Sequence, residues 1–252
     1  MTGEGPTFLQ RVTAVLRTRQ YVVFFAIALY TFDVAVPLLT AWLYRGGAYS
    51  HVLQNTNGPL ADAVAARSLV LAAICVAYFL AQSWLRCGYI RSLLGPLHLG
   101  ASSRKQFASM LGLTVLQAGF AAASVGVVLL SDQAALPILL VVLAGFAFYL
   151  VVAYADYIIV LDDVGTFSAI ARSLRTVRAV FLPTALLMMT ITLVGWEAND
   201  LLVRHASGGL AGALPLLLMR CMAIGGLAFL LYVVLVMIYV TVSEAQKAGP
   251  DD

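Results

Sequence analysis

Six long apolar runs separated by short charged gaps constrain this chain more than any other feature of its sequence. Between charged residues the runs cover 20–44 (interrupted only by Asp33), 68–85, 106–131, 133–155, 179–196 and 205–243 (interrupted only by Arg220). Each is close to the length needed to cross a hydrocarbon core of about 30 Å as a helix, about 20 apolar residues. The runs predict an all-α polytopic membrane protein with spans over about 20–44, 66–86, 106–130, 136–161, 181–203 and 211–242. With 62% hydrophobic and 11% charged residues, a water-soluble monomer would expose far too much apolar surface. The longest gap, Arg45 to Arg67, is too short for a separate domain, so residues 1–252 read as one membrane domain ending in a tail at 244–252.

The gaps carry a topology. Arg11, Arg17, Arg19, Arg86, Arg91, Arg104, Lys105, Arg172, Arg175, Arg178 and Lys247 fall on one side of the six spans, and only Arg45, Arg67 and Arg204 on the other. An excess of basic residues marks the cytosolic side, which puts both termini there. The first run is too long for a signal-peptide core and contains Asp33, so it is expected to stay as a span. Tyr21, Trp84, Tyr89, Tyr154 and Tyr157 near the inner ends and Trp42 near an outer end fit aromatic belts. In the third span, Ala118, Gly119, Ala122, Ala123 and Gly126 form a small-residue face of the kind that lets helices approach closely in lipid, which predicts a central position for that span.

Two cytosolic segments read as interfacial helices. Over 166–180, Phe167, Ile170, Leu174 and Val177 lie on one stripe that Phe181 continues, with Arg172, Arg175 and Arg178 on an adjacent arc; Asp163 or Thr166 is the expected cap. Over 7–19, Phe8, Leu9, Val12, Val15 and Leu16 share a face and Arg11, Arg17 and Arg19 lie off it. The arginines have two readings: contact with lipid phosphates, each contributing on the order of 1 kcal/mol at an anionic surface, or pairing with Asp162 and Asp163 in service of topology alone. Asp156, one turn inside the fourth span, is read as a partner for nearby arginines. Gly95-Pro96 and Gly100 interrupt any helix in the third cytosolic gap.

Charges inside the spans are the other candidates, because each needs a partner, water or a function. Asp33 lies about 18 Å along its helix from Tyr21, and Glu197 and Asp200 roughly 21 and 25 Å from Pro183, at 1.5 Å per residue. Arg220 enters the sixth span to a similar depth, so Arg220 with Glu197 or Asp200 is the economical pair, either as structural glue or as one wall of a polar cavity. Catalytic signatures are missing: the sequence has no His-Glu-x-x-His, Gly-x-Ser-x-Gly, phosphate-binding Gly-rich loop or Cys-x-x-Cys. His51, His98 and His205 are too scattered to share a metal, and Cys75, Cys87 and Cys221 read as packing residues.

The segment Tyr154-Ala-Asp-Tyr-Ile-Ile-Val-Leu-Asp-Asp-Val-Gly165, followed by Ala169-Ile-Ala-Arg172-Ser-Leu-Arg175-Thr-Val-Arg178, resembles the region after the fourth span in a group of bacterial six-span proteins. That group includes the membrane domain ahead of some glycerophosphodiester phosphodiesterases; Gly88-Tyr-Ile-Arg91 and the amphipathic N-terminal segment resemble it as well. The resemblance implies a layout and not an activity, since these residues hold none of the phosphodiesterase catalytic domain. The expected function is therefore a protein without a catalytic site or cofactor that binds membrane lipid, anionic lipid first, or a membrane protein partner or second copy, as a scaffold or accessory subunit. The alternative is a small transporter or channel using Asp33, Glu197, Asp200 and Arg220, and nothing points to nucleic acid.

Overall fold

A computed structural model describes residues 7–32, 60–130, 135–205 and 209–247. All elements among them are helices: α1 (Phe8–Thr18), α2 (Val22–Phe32), α3 (Leu60–Leu94), α4 (Arg104–Leu130), α5 (Ala135–Val152), α6 (Ala155–Asp162), α7 (Thr166–Ala179), α8 (Phe181–His205) and α9 (Gly209–Lys247). The protein is an all-helical membrane protein. Arg104–Val128, Ala135–Asp162 and Cys221–Gln246 are each long and apolar enough to cross a bilayer. Two further pairs qualify if each is counted as one bent span: α1 with α2, bent by 80°, and α7 with α8, bent by 103°.

The packed core lies at one end of the bundle and is built around α6. Ala155 through Val160 are all buried, so this short helix is enclosed on every side, including at Asp156. Cys87, Tyr89, Ile90 and Leu93 of α3, Met110 and Leu113 of α4, and Phe229, Val233 and Val236 of α9 belong to the same core. On α5, by contrast, Leu136, Leu139, Leu140, Val142 and Leu143 are exposed. Apolar residues in that condition face lipid tails, which are as apolar as the side chains themselves.

The expected span over 136–161 is present as one segment, Ala135–Asp162, with a two-residue interruption of the helix at Ala153–Tyr154, between α5 and α6. Neither proline nor glycine marks the break. Its backbone is satisfied from outside the span: the Tyr154 N–H donates to Ser173 Oγ at 3.1 Å, and the Tyr154 hydroxyl shares a hydrogen bond with Thr184 Oγ1 at 2.7 Å. A break at membrane depth persists when neighbouring side chains take up the freed groups in this way.

At its other end α6 finishes at Asp163, whose φ of 50° places it in the left-handed region that Asp tolerates better than most residues. The last-turn carbonyls of a helix lack internal partners. Gln106, fully buried, donates from Nε2 to the Val160 carbonyl at 2.9 Å, and the Lys105 ammonium donates to the Asp163 carbonyl.

α3 ends at Leu94, and residues 95–103 fold back along its last turns. Ser92 Oγ accepts from the His98 N–H at 2.9 Å, and a Cβ on Gly88 would stand 2.5 Å from the Gly100 nitrogen. Gly100 in turn lies against the Trp84 ring, where a Cβ would be 2.0 Å from the indole. Only glycine at these two positions permits the approach. The small-residue face predicted to make the third span central is not where α4 packs: Ala122 and Ala123 are exposed, and a Cβ on Gly119 or Gly126 would meet nothing within 4 Å. The close approaches of α4 and α9 are at Gly112, beside Thr166 Oγ1, and at Gly225, beside Ile27.

Candidate functional site

Inside the core, α3, α4, α6 and α9 bring together an ionic cluster. Arg86 Nη2 lies 2.6 Å from Asp156 Oδ2. Arg86 also donates from Nη1 to Gln117 Oε1 at 3.1 Å and from Nη2 to the Tyr232 hydroxyl at 3.3 Å. The side chains are 17% and 5% exposed for Arg86 and Asp156 respectively, so this is a desolvated pair. Removing two charges from water costs several kcal/mol per ion, which close geometry and extra hydrogen bonds to the guanidinium repay. Tyr89 and Tyr157 pack edge-on against Tyr232, with ring centroids 5.3 and 5.9 Å apart, and shield the cluster. Among the described residues, the buried hydroxyls of Tyr89 and Tyr157 have no hydrogen-bond partner.

The cluster forms one wall of a cavity of about 250 Å³. Its polar pole is Arg86, Asp156, Gln117 and Tyr232, while Val152, Met188, Leu231 and Leu235 supply apolar wall; the α5–α6 break contributes Ala153. Tyr149, which also lines it, is 45% exposed and marks its mouth.

A second set of charges lies outside the core at the same end of the molecule. Arg172 Nη1 donates to Asp162 Oδ2 at 3.1 Å, and the Tyr239 hydroxyl donates to the same oxygen at 2.8 Å. Lys105 Nζ lies 3.8 Å from Asp163 Oδ2, and Ser103 Oγ donates to Asp163 Oδ1 at 3.3 Å. Arg11 Nη1 lies 2.7 Å from Glu244 Oε2, tying α1 to the end of α9. Arg17, Arg175 and Arg178 are exposed and Arg19 is half-buried. Among the described residues, neither Arg175 nor Arg178 has an ion pair.

α7 buries Ala169, Ser173, Thr176 and Val177, while Ile170 and Leu174 are half-buried and Phe167 is 79% exposed. Its protein-facing surface is thus mainly its small and hydroxyl residues, and its large apolar residues sit beside that face. The expected cap is also different: Gly165 is the capping position and gives no side-chain bond, and the Thr166 hydroxyl instead donates to the Ser109 carbonyl at 2.8 Å.

Asp33 lies outside the described residues, as do the side chains of Glu197, Asp200 and Arg220. Arg86 is the residue that sequence reasoning missed. At the end of an apolar run, an arginine satisfies the positive-inside pattern, and nothing local signals that it turns inward toward an acid 70 positions later. Among the described residues no three His, Cys, Asp or Glu side chains converge as metal ligands would.

No protein-family model, no curated protein and no solved structure matches this chain.

Proposed function

We propose that this protein is a six-span, non-enzymatic protein of a bacterial cytoplasmic membrane, with both termini cytosolic, that holds anionic lipid headgroups on basic interfacial helices and serves as a scaffold or accessory subunit. The supporting observation is α7. It leaves the direction of α8 by 103°, buries Ala169, Ser173 and Thr176 against the bundle, and keeps Phe167, Arg172, Arg175 and Arg178 exposed. A helix at right angles to the spans, with a large apolar side chain and three arginines on its outward arc, suits the headgroup boundary, where the apolar part enters lipid and the guanidinium groups meet phosphate. α1 repeats the arrangement at 80° to α2, with Leu9 74% exposed and Arg17 exposed. Arg172 is shared with Asp162, so Arg175 and Arg178 carry most of the lipid contact in this reading.

The test is native mass spectrometry of the protein released from anionic nanodiscs. Replacing Arg172, Arg175 and Arg178 together by Gln removes about 3 kcal/mol of surface attraction, so retained anionic lipid should fall by roughly 100-fold in apparent affinity. Equal retention by the triple variant and the native protein would sink this reading.

A further inference from the structure

We propose that the cavity beside Arg86 and Asp156 is a binding site for a single uncharged lipid with a hydroxyl and ester head, of which diacylglycerol is the simplest membrane example. This site is separate from the basic interfacial surface and takes a different class of lipid.

The choice of ligand follows from the polar pole. Arg86 is already faced by Asp156 at 2.6 Å, by Gln117 at 3.1 Å and by Tyr232 at 3.3 Å. An anionic headgroup placed there would meet the Asp156 carboxylate, and a cationic one would meet the Arg86 guanidinium. Either would add an uncompensated charge to a desolvated site, which costs several kcal/mol. A head that only donates and accepts hydrogen bonds adds no charge and finds both kinds of partner, carboxylate and amide oxygens on one hand and guanidinium and amide N–H groups on the other. The rest of the cavity is apolar, with Val152, Met188, Leu231 and Leu235 as wall, which suits the first carbons of acyl chains.

Depth and access agree. Asp156 stands six residues before the end of the Ala135–Asp162 segment, about 9 Å along the axis, so the polar pole lies near one end of that apolar segment and not at its middle. The mouth is marked by exposed Tyr149, on the helix whose other exposed large apolar residues are Leu136, Leu139, Leu140, Val142 and Leu143. Chains too long for about 250 Å³ therefore leave directly into lipid.

The experiment uses the full chain in phosphatidylcholine nanodiscs with a photoactivatable diacylglycerol carrying its diazirine near the head, followed by peptide mapping. The expected result is labelling concentrated on the peptides that carry Tyr149, Met188 and Leu231, reduced about tenfold by unlabelled diacylglycerol and unchanged by phosphatidic acid. Ala228→Phe, which puts a ring into the cavity from its wall, should reduce labelling to a similar degree. The Arg172, Arg175 and Arg178 triple Gln variant should leave it unchanged, which separates this site from the surface reading. Diffuse labelling along exposed α5 without competition, or equal competition by phosphatidic acid, would overturn the proposal. The native-protein competition decides the matter even if Ala228→Phe does not fold.

Discussion

α5 and α6 are consecutive pieces of one apolar run, yet their surroundings are opposite. Leu136, Leu139, Leu140, Val142 and Leu143 of α5 are exposed along its first half, while every residue from Ala155 to Val160 of α6 is buried. The difference teaches that hydrophobicity places a segment in the membrane and says little about whether it touches protein or lipid. What distinguishes α6 is its polar neighbours: Gln106, Ser173, Thr184 and Arg86 each reach in from another helix. In lipid there is no hydrophobic drive between helices, so packing and interhelical hydrogen bonds hold them together.

That comparison can be broken most severely at Asp156. Asp156→Ala leaves Arg86 buried without its carboxylate and should destabilise the protein by about 3–5 kcal/mol in reversible detergent unfolding. A loss under about 1 kcal/mol would mean that the pair is far better hydrated than its burial implies. Next comes the fold-back at the end of α3. Gly88→Ala places a methyl group against the backbone of His98 and Gly100 and should cost about 1–3 kcal/mol, with residues 95–103 becoming sensitive to protease. Gly119→Ala, where a Cβ meets nothing, is the matched control and should be neutral or slightly stabilising.

Ser173→Ala should cost about 1–3 kcal/mol by stranding the Tyr154 N–H at the break, with faster hydrogen exchange at Tyr154 as the direct readout. The smallest effect belongs to the exposed half of α5. Leu139→Ala on exposed α5 should change stability by less than about 0.5 kcal/mol in the same unfolding assay. A large loss there would show that the α5 face is covered by protein, and the contrast with α6 would disappear.

The membrane class and helical content were legible because run length and composition leave few alternatives, whereas the placement of the functional groups was not. Arg86 looked like one more inner-side cation because a topology rule counts charges without asking where they point. The break at Ala153–Tyr154 was invisible because its cause lies in Ser173 and Thr184, on other helices, and not in any local breaker. Periodicity identified a stripe on α7 through Phe167 and Leu174, but it cannot separate a lipid-facing from a protein-facing apolar surface. The structure buries Ala169, Ser173, Thr176 and, from the stripe, Val177, packs Ile170 against the core and leaves Phe167 out. Glycine composition misled for a related reason: Gly119 and Gly126 fit a small-residue packing pattern yet have open space beside them, while Gly88 and Gly100, outside that pattern, are where the backbone approaches.

The Arg11–Glu244 pair joins residues 233 positions apart, with α1 packed on α9. During biosynthesis α1 is therefore made long before α9, and at ordinary elongation rates of about 5–20 residues per second it stands without that neighbour for tens of seconds. A chain interrupted before Glu244 holds α1 without the ion pair that ties it to α9.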